Sequence, residues 1–140
     1  MTDKSSEPSK KWAPKKFVGI TVFDIKGQDC GKIQSLYINP ETFSISGIMI
    51  KKRLASEYFL SRHYFDQINE TGLHLNSIPI KPNDKVIDTE GNNVGKVFKV
   101  CLNSETNKLE FLEVKSGFKI KYIASDKIIG VGEKITIKNY

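Results

Sequence analysis

Histidine, cysteine and arginine are nearly missing from this chain of 140 residues, which holds two of each. A structural zinc would want four Cys or His ligands, with two of them close in sequence. Cys30, Cys101, His63 and His74 show no C-x-x-C or H-x-x-x-H spacing, so no metal is expected. Two cysteines do not make the disulfide framework of a small secreted domain and fit a reducing compartment. There is no apolar run of about 18 residues to span a bilayer, and residues 1–16 lack the apolar stretch of a secretory signal. Together these absences predict a cytoplasmic protein. With only Arg53 and Arg62, and no interleaving of aromatic and basic residues, the body lacks a nucleic-acid signature, and no direct DNA binding is expected.

Sites built from other residues are absent as well. Gly91-Asn-Asn-Val-Gly95-Lys96 has three residues between its glycines and Val97 after its lysine; a phosphate loop needs four, then Ser or Thr. The stretch from Asp88 to Asn92 has its glycine two positions too early for a calcium loop. Neither histidine has a sequence partner that would make a nucleophile with a positioned base. The sequence therefore predicts neither an enzyme nor a cofactor.

What is present is a strand-and-turn pattern. Residues 1–16, with five lysines, Asp3, Glu7 and one aromatic, Trp12, bury too little to order and are expected to form a disordered basic tail. From Phe17 onward, short runs of Val, Ile, Phe and Tyr alternate with Gly, Asn, Asp and Pro. Strands are predicted at Ile20–Asp24, Ile33–Asn39, Ile45–Lys52, Glu57–Leu60, Gln67–Asn69 and Leu73–Leu75, with a helical turn at Arg62–Phe65. Cys30 is expected in a turn, Cys101 at a core or interface strand position, and His74 on a solvent-facing one. The net charge of +6 is split: the tail and residues 79–140 hold the excess, while residues 17–78 balance six bases against six acids.

The chain also repeats itself. Moved so that Gly27 meets Gly91, Asp24 meets Asp88, Gly31-Lys32-Ile33 meets Gly95-Lys96-Val97, Asn39-Pro-Glu41-Thr42 meets Asn103-Ser-Glu105-Thr106, and Lys51 meets Lys115. After a four-residue change in loop length, Asp66-Gln-Ile68 meets Asp126-Lys-Ile128, Gly72 meets Gly132 and Leu75 meets Ile135. Gly27 and Gly91 suit hairpins, Gly31 and Gly95 a bulge or a close packing, and Asn39 and Asn103 a turn capped by the side chain. Two domains follow, 17–78 and 79–140, joined near Asn76–Pro82.

The pattern D-x-x-G-x-x-x-G-K-[IV], then a strand ending in N-x-E-T and a further apolar strand, resembles the PRC-barrel family. It runs from Asp24 in the first copy and from Asp88 in the second. The resemblance implies an all-β chain of two tandem, strongly bent antiparallel barrels of five to six strands each. It further implies a non-catalytic adaptor that works by binding proteins. Some archaeal members act in cell division with the membrane-anchoring protein SepF, so the partners implied are SepF or another division protein at the division site. The other implication is a homodimer, or a hetero-oligomer with a related PRC-barrel protein, that meets membrane only indirectly. The alternative implied is an accessory protein of RNA or the ribosome. Candidate partner-binding residues are the aromatic and basic group Tyr58, Arg62, Tyr64 and Phe65, together with Trp12, Lys15 and Lys16 at the end of the tail.

Overall fold

The computed structural model describes residues 14–139. A helical turn, α1 (Pro14–Phe17), precedes twelve short strands that fall into two six-stranded sheets. The turn reaches into the segment assigned to the basic tail, where Pro14 suits the first helical position. The first sheet comprises β1 (Thr21–Phe23), β2 (Asp29–Asn39), β3 (Ser44–Lys51), β4 (Tyr58–Ser61), β5 (Phe65–Asn69) and β6 (Gly72–Leu75). The second comprises β7 (Lys85–Asp88), β8 (Asn93–Leu102), β9 (Leu109–Ser116), β10 (Lys119–Ala124), β11 (Ile128–Val131) and β12 (Lys134–Ile137). Their orders are identical, β4-β3-β2-β1-β6-β5 and β10-β9-β8-β7-β12-β11. A 3-10 turn follows β4 at Arg62–Tyr64 and another follows β10 at Ser125–Lys127. The all-β fold class of two tandem six-stranded units is thus the one expected.

The turn chemistry works as the repeat implied. Asp24 Oδ1 accepts the amides of Lys26 and Gln28 (2.8 and 3.0 Å), and Asp88 Oδ1 accepts those of Glu90 and Asn92 (both 2.9 Å). Asn39 Oδ1 takes the amide of Glu41 at 2.9 Å, and Asn103 Oδ1 that of Glu105 at 2.9 Å. Bending comes from bulges at matching places. The β2–β3 register shifts between Ile33 and Ser35 and between Tyr37 and Ile38; the β8–β9 register shifts between Val97 and Lys99 and between Cys101 and Leu102. Each bulge bends its strand, so a long β2 or β8 can curl one sheet over its own core.

Each unit has its own core. Val22, Ile33, Ile48, Ile50, Leu60, Leu73 and Leu75 fill the first; Val86, Val97, Leu112, Val114, Ile123, Ile135 and Ile137 fill the second. Between them, residues 76–84 form no strand, yet the segment is packed: Pro79 is buried and Ile80 lies against the second core.

Three expectations are corrected and one is refined. The sheets are not wholly antiparallel, because β6 pairs parallel with β1 and β12 parallel with β7. A hairpin that returns after the 3-10 turn brings its second strand alongside the first strand of the unit in the same direction. Cys30 is not in a turn; it lies in β2, 3% exposed, because the strand begins at Asp29 and Cys30 is the extra residue of a bulge opposite Val22 and Phe23. His74 keeps the outward-facing position expected of it, between buried Leu73 and Leu75, and is half-buried there because it stacks on Phe23, ring centroids 5.3 Å apart. Finally, the loop change between copies is smaller than four residues. Leu60 and Ile123 hold the same place against Ile48 and Leu112, and Leu73 and Ile135 the same place against Val22 and Val86. The later sequence matches, Leu75 with Ile135 among them, had slipped by two or three positions, because Asp and Ile near a turn are too common to fix a register.

Candidate functional site

The aromatic group singled out in the sequence divides on inspection of its surroundings. Tyr58 is buried, and its hydroxyl donates to the Cys30 carbonyl at 3.2 Å. Burial, and next the nearby Cys30 thiol, push its ionisation far up. It is a core residue and not an exposed contact. Tyr64 and Phe65 are half-buried and pack against the same core. Burial raises the Tyr64 phenol as well. Arg62 is exposed on the 3-10 turn. Lys16 lies on α1, at the mouth of an open groove with Phe17, Ile20 and Ile68. Lys15 belongs to the same turn, and Trp12 lies outside the described residues. The described side chains among them, Lys16, Tyr58, Arg62, Tyr64 and Phe65, are therefore not gathered into one exposed site.

Two small clefts lie where the units meet. One, of about 160 Å³, is lined by Phe59, His63 and Tyr64 of the first unit and Val100, Leu102 and Leu109 of the second. Ser61 Oγ sits 2.8 Å from His63 Nδ1 beside it. Ser61 is buried, and the pair spans a single turn, so this hydrogen bond shapes the 3-10 turn rather than presenting a nucleophile. The second cleft, about 170 Å³, is lined by Asp24, Asp29, Cys30, Lys52, Tyr58 and Lys81, among others. Lys81 pairs with Asp84 at 3.6 Å, and burial holds the Asp84 carboxyl above its usual range while the Lys81 amide and ammonium oppose the shift. Burial also pushes the Cys30 thiol up to about 11. Among the described residues no group of three His, Cys, Asp or Glu could hold a metal.

Sequence reading missed the outer face of the second sheet. Alternation along β9 and β10 sends Leu112, Val114 and Ile123 inward and leaves Phe111, Glu113, Lys115, Ile120 and Tyr122 outside. Phe98 joins them from the bulge of β8, under the Lys115 ammonium at 5.7 Å. Phe111 and Tyr122 meet edge to face at 5.8 Å. Phe98, Ile120 and Tyr122 stay exposed, Tyr122 by 64%. In the first unit the matching face carries a different pair: the Phe59 ring lies over Gly47 in the space a Cβ would need, edge-on at 5.5 Å to Tyr37, which is itself exposed. The signal was available as apolar residues on both faces of β10, a strand at the edge of its sheet.

The architecture defines a class: a tandem protein of two small bent sheets, each closed by a parallel strand. The family model of the PRC-barrel domain matches residues 83–139, which covers β7 to β12. The first unit shares its strand order and turn chemistry. No curated protein matches the chain. No helix among the described residues is long and apolar enough to cross a membrane.

Proposed function

We propose that the protein is a non-catalytic adaptor that grips a protein partner with the outer face of β8, β9 and β10. One observation carries this reading: Phe98, Ile120 and Tyr122 stand exposed on one face around the half-buried Phe111. Glu113 and Lys115 of the middle strand lie between Ile120 and Tyr122 on one side and Phe98 on the other, so aromatic and charged side chains interleave across this face, a mixture suited to a protein contact. On the family resemblance, the partner is an archaeal division protein such as SepF, bound directly or through a related PRC-barrel protein. Self-association into a dimer would use the open edges at β10 and β11.

The test is capture of purified SepF by the immobilised chain, with light scattering to read its own oligomeric state. Replacing Phe98 and Tyr122 by Ser should weaken capture about tenfold or more, as truncation of central aromatic contacts does, with thermal unfolding unchanged. Equal capture by the variant refutes the assigned face. Salt-dependent uptake of RNA in place of protein would favour the ribosomal alternative.

A further inference from the structure

Both hairpin tips opposite the helical-turn end of the sheets carry the same unexplained device. The β3–β4 connection, residues 52–57, opens with Lys52-Arg53-Leu54, and the β9–β10 connection is Gly117-Phe118, flanked by the paired Ser116 and Lys119. Counted from the paired Lys51 and Lys115, Leu54 and Phe118 occupy the same position, and both are fully exposed, at 101% and 103%. The residue before each takes a left-handed conformation, Arg53 at φ 52° and Gly117 at φ 64°, so the backbone turns alike and thrusts the next side chain outward.

Beneath each tip lies a row of cations. Lys32 stands directly across from Lys51, and Lys96 directly across from Lys115. In the second unit Lys85 extends the row across a third strand. Like charges placed directly opposite across a sheet cost stability. Nevertheless the pair occurs in both copies, and among the described residues no ion pair relieves Lys32, Lys51, Lys85 or Lys96. Open pockets lined by these lysines sit at matching places, one with Asp29, Lys32, Lys51, Lys52 and Arg53, the other with Lys85, Asn93, Lys96 and Lys115.

We propose that each tip is an anchor for an anionic lipid surface: Leu54 and Phe118 enter the interfacial layer while the lysine rows hold lipid phosphates. A water-soluble polyanion would satisfy the lysines and leave the two apolar tips idle. A bilayer surface satisfies both, since apolar side chains insert at the headgroup boundary and basic residues are drawn to anionic lipid. The membrane contact is then direct, unlike the indirect one the family resemblance implied; it shares Lys115 with the face assigned to the protein partner, whereas Leu54 and Phe118 lie outside that face. The second unit should dominate, because its tip is aromatic and Asn93 stands where the first unit has Asp29.

Co-sedimentation of the full chain with vesicles tests this, using phosphatidylcholine alone or mixed with phosphatidylglycerol. The chain should bind only the anionic vesicles and release them as salt rises from 0.1 to 1 M, where screening shortens from about 10 to about 3 Å. Phe118→Ser should weaken binding about tenfold, Leu54→Ser somewhat less, and the double variant should abolish it. Neither change alters charge, so lysines of the N-terminal segment cannot account for a loss. Phe43→Ser removes another exposed ring, away from the lysine rows, and should leave binding unchanged. Equal binding to neutral vesicles overturns the proposal. So does binding that survives the double substitution, or uptake of a short RNA in preference to anionic vesicles.

Discussion

Replacing Gly95 by Ala should unfold the second unit, whereas the same change at Gly91 should only weaken it. Both glycines have positive φ, 84° at Gly91 and 145° at Gly95. A Cβ on Gly91 would meet nothing within 4 Å, so Gly91→Ala costs only the left-handed backbone, about 1–2 kcal/mol. A Cβ on Gly95 would stand 2.5 Å from the Lys115 carbonyl oxygen and 2.9 Å from Val114 Cγ1. Its φ belongs to a region that side chains avoid, at about 1–3 kcal/mol. Forcing β8 and β9 apart adds about 1–3 kcal/mol of overpacking. The sum, roughly 2–6 kcal/mol, is comparable with the 3–5 kcal/mol or so that a core of this size supplies. Amide hydrogen exchange, read peptide by peptide, should show protection lost from β7 to β12 and kept from β1 to β6, because the two cores are separate. Gly31→Ala should do the reverse, since its Cβ would lie 2.7 Å from the Lys51 carbonyl oxygen. Equal costs for Gly91→Ala and Gly95→Ala would refute the role given to the close strand approach. Simultaneous loss of protection in both units would refute their independence.

Two further outcomes follow from local geometry. Phe43 is 87% exposed at φ 56°, where the matching turn of the second unit has Asn107 at φ 59°. Phe43→Asn should therefore stabilise the first unit by about 1 kcal/mol, seen as a higher urea midpoint at unchanged slope; a lower midpoint would show that the ring packs on something. In the native protein at pH 8, a thiol reagent should label Cys101 and spare Cys30, which is buried and holds its proton up to about 11. Burial, with the Glu113 carboxylate adding to it, raises the Cys101 thiol too, so its labelling should be slower than that of a free thiol. The raised Cys30 value has a definite sign: its contribution to stability is complete below the ordinary thiol value of 9.0 and is lost as pH climbs to about 11. Rapid labelling of Cys30 would refute its placement in β2.

Most strands of the first unit could be read directly, because Asp24, Gly27 and Asn39 fix turns through their own side chains and backbone freedom. The start of β2 could not, since Asp-Cys-Gly has turn composition and only the partner strand makes it extended. Alternation of apolar residues gives a face but no direction, so the parallel closure of β6 on β1 stayed hidden. Tyr58 reads from the sequence as a candidate contact because an aromatic near Arg and His looks the same from either side of a sheet; its hydrogen bond to Cys30, which fixes it in the core, crosses 28 residues. Leu54 and Phe118 went unnoticed because a single apolar residue in a loop reads as core. Their equal distance from Lys51 and Lys115 was the signal that could have exposed them.

The parallel pairing of each unit's first and last strands also fixes how the molecule would bear tension. A chain that enters along β7 and leaves along β12 pulls these neighbours in opposite directions along their length. Their hydrogen bonds are then sheared together and cannot be peeled one at a time. Four residue pairs share that load in the second unit, against two between β1 and β6 in the first. Pulled by its two ends, the chain would therefore yield first in its N-terminal half, while the C-terminal half holds.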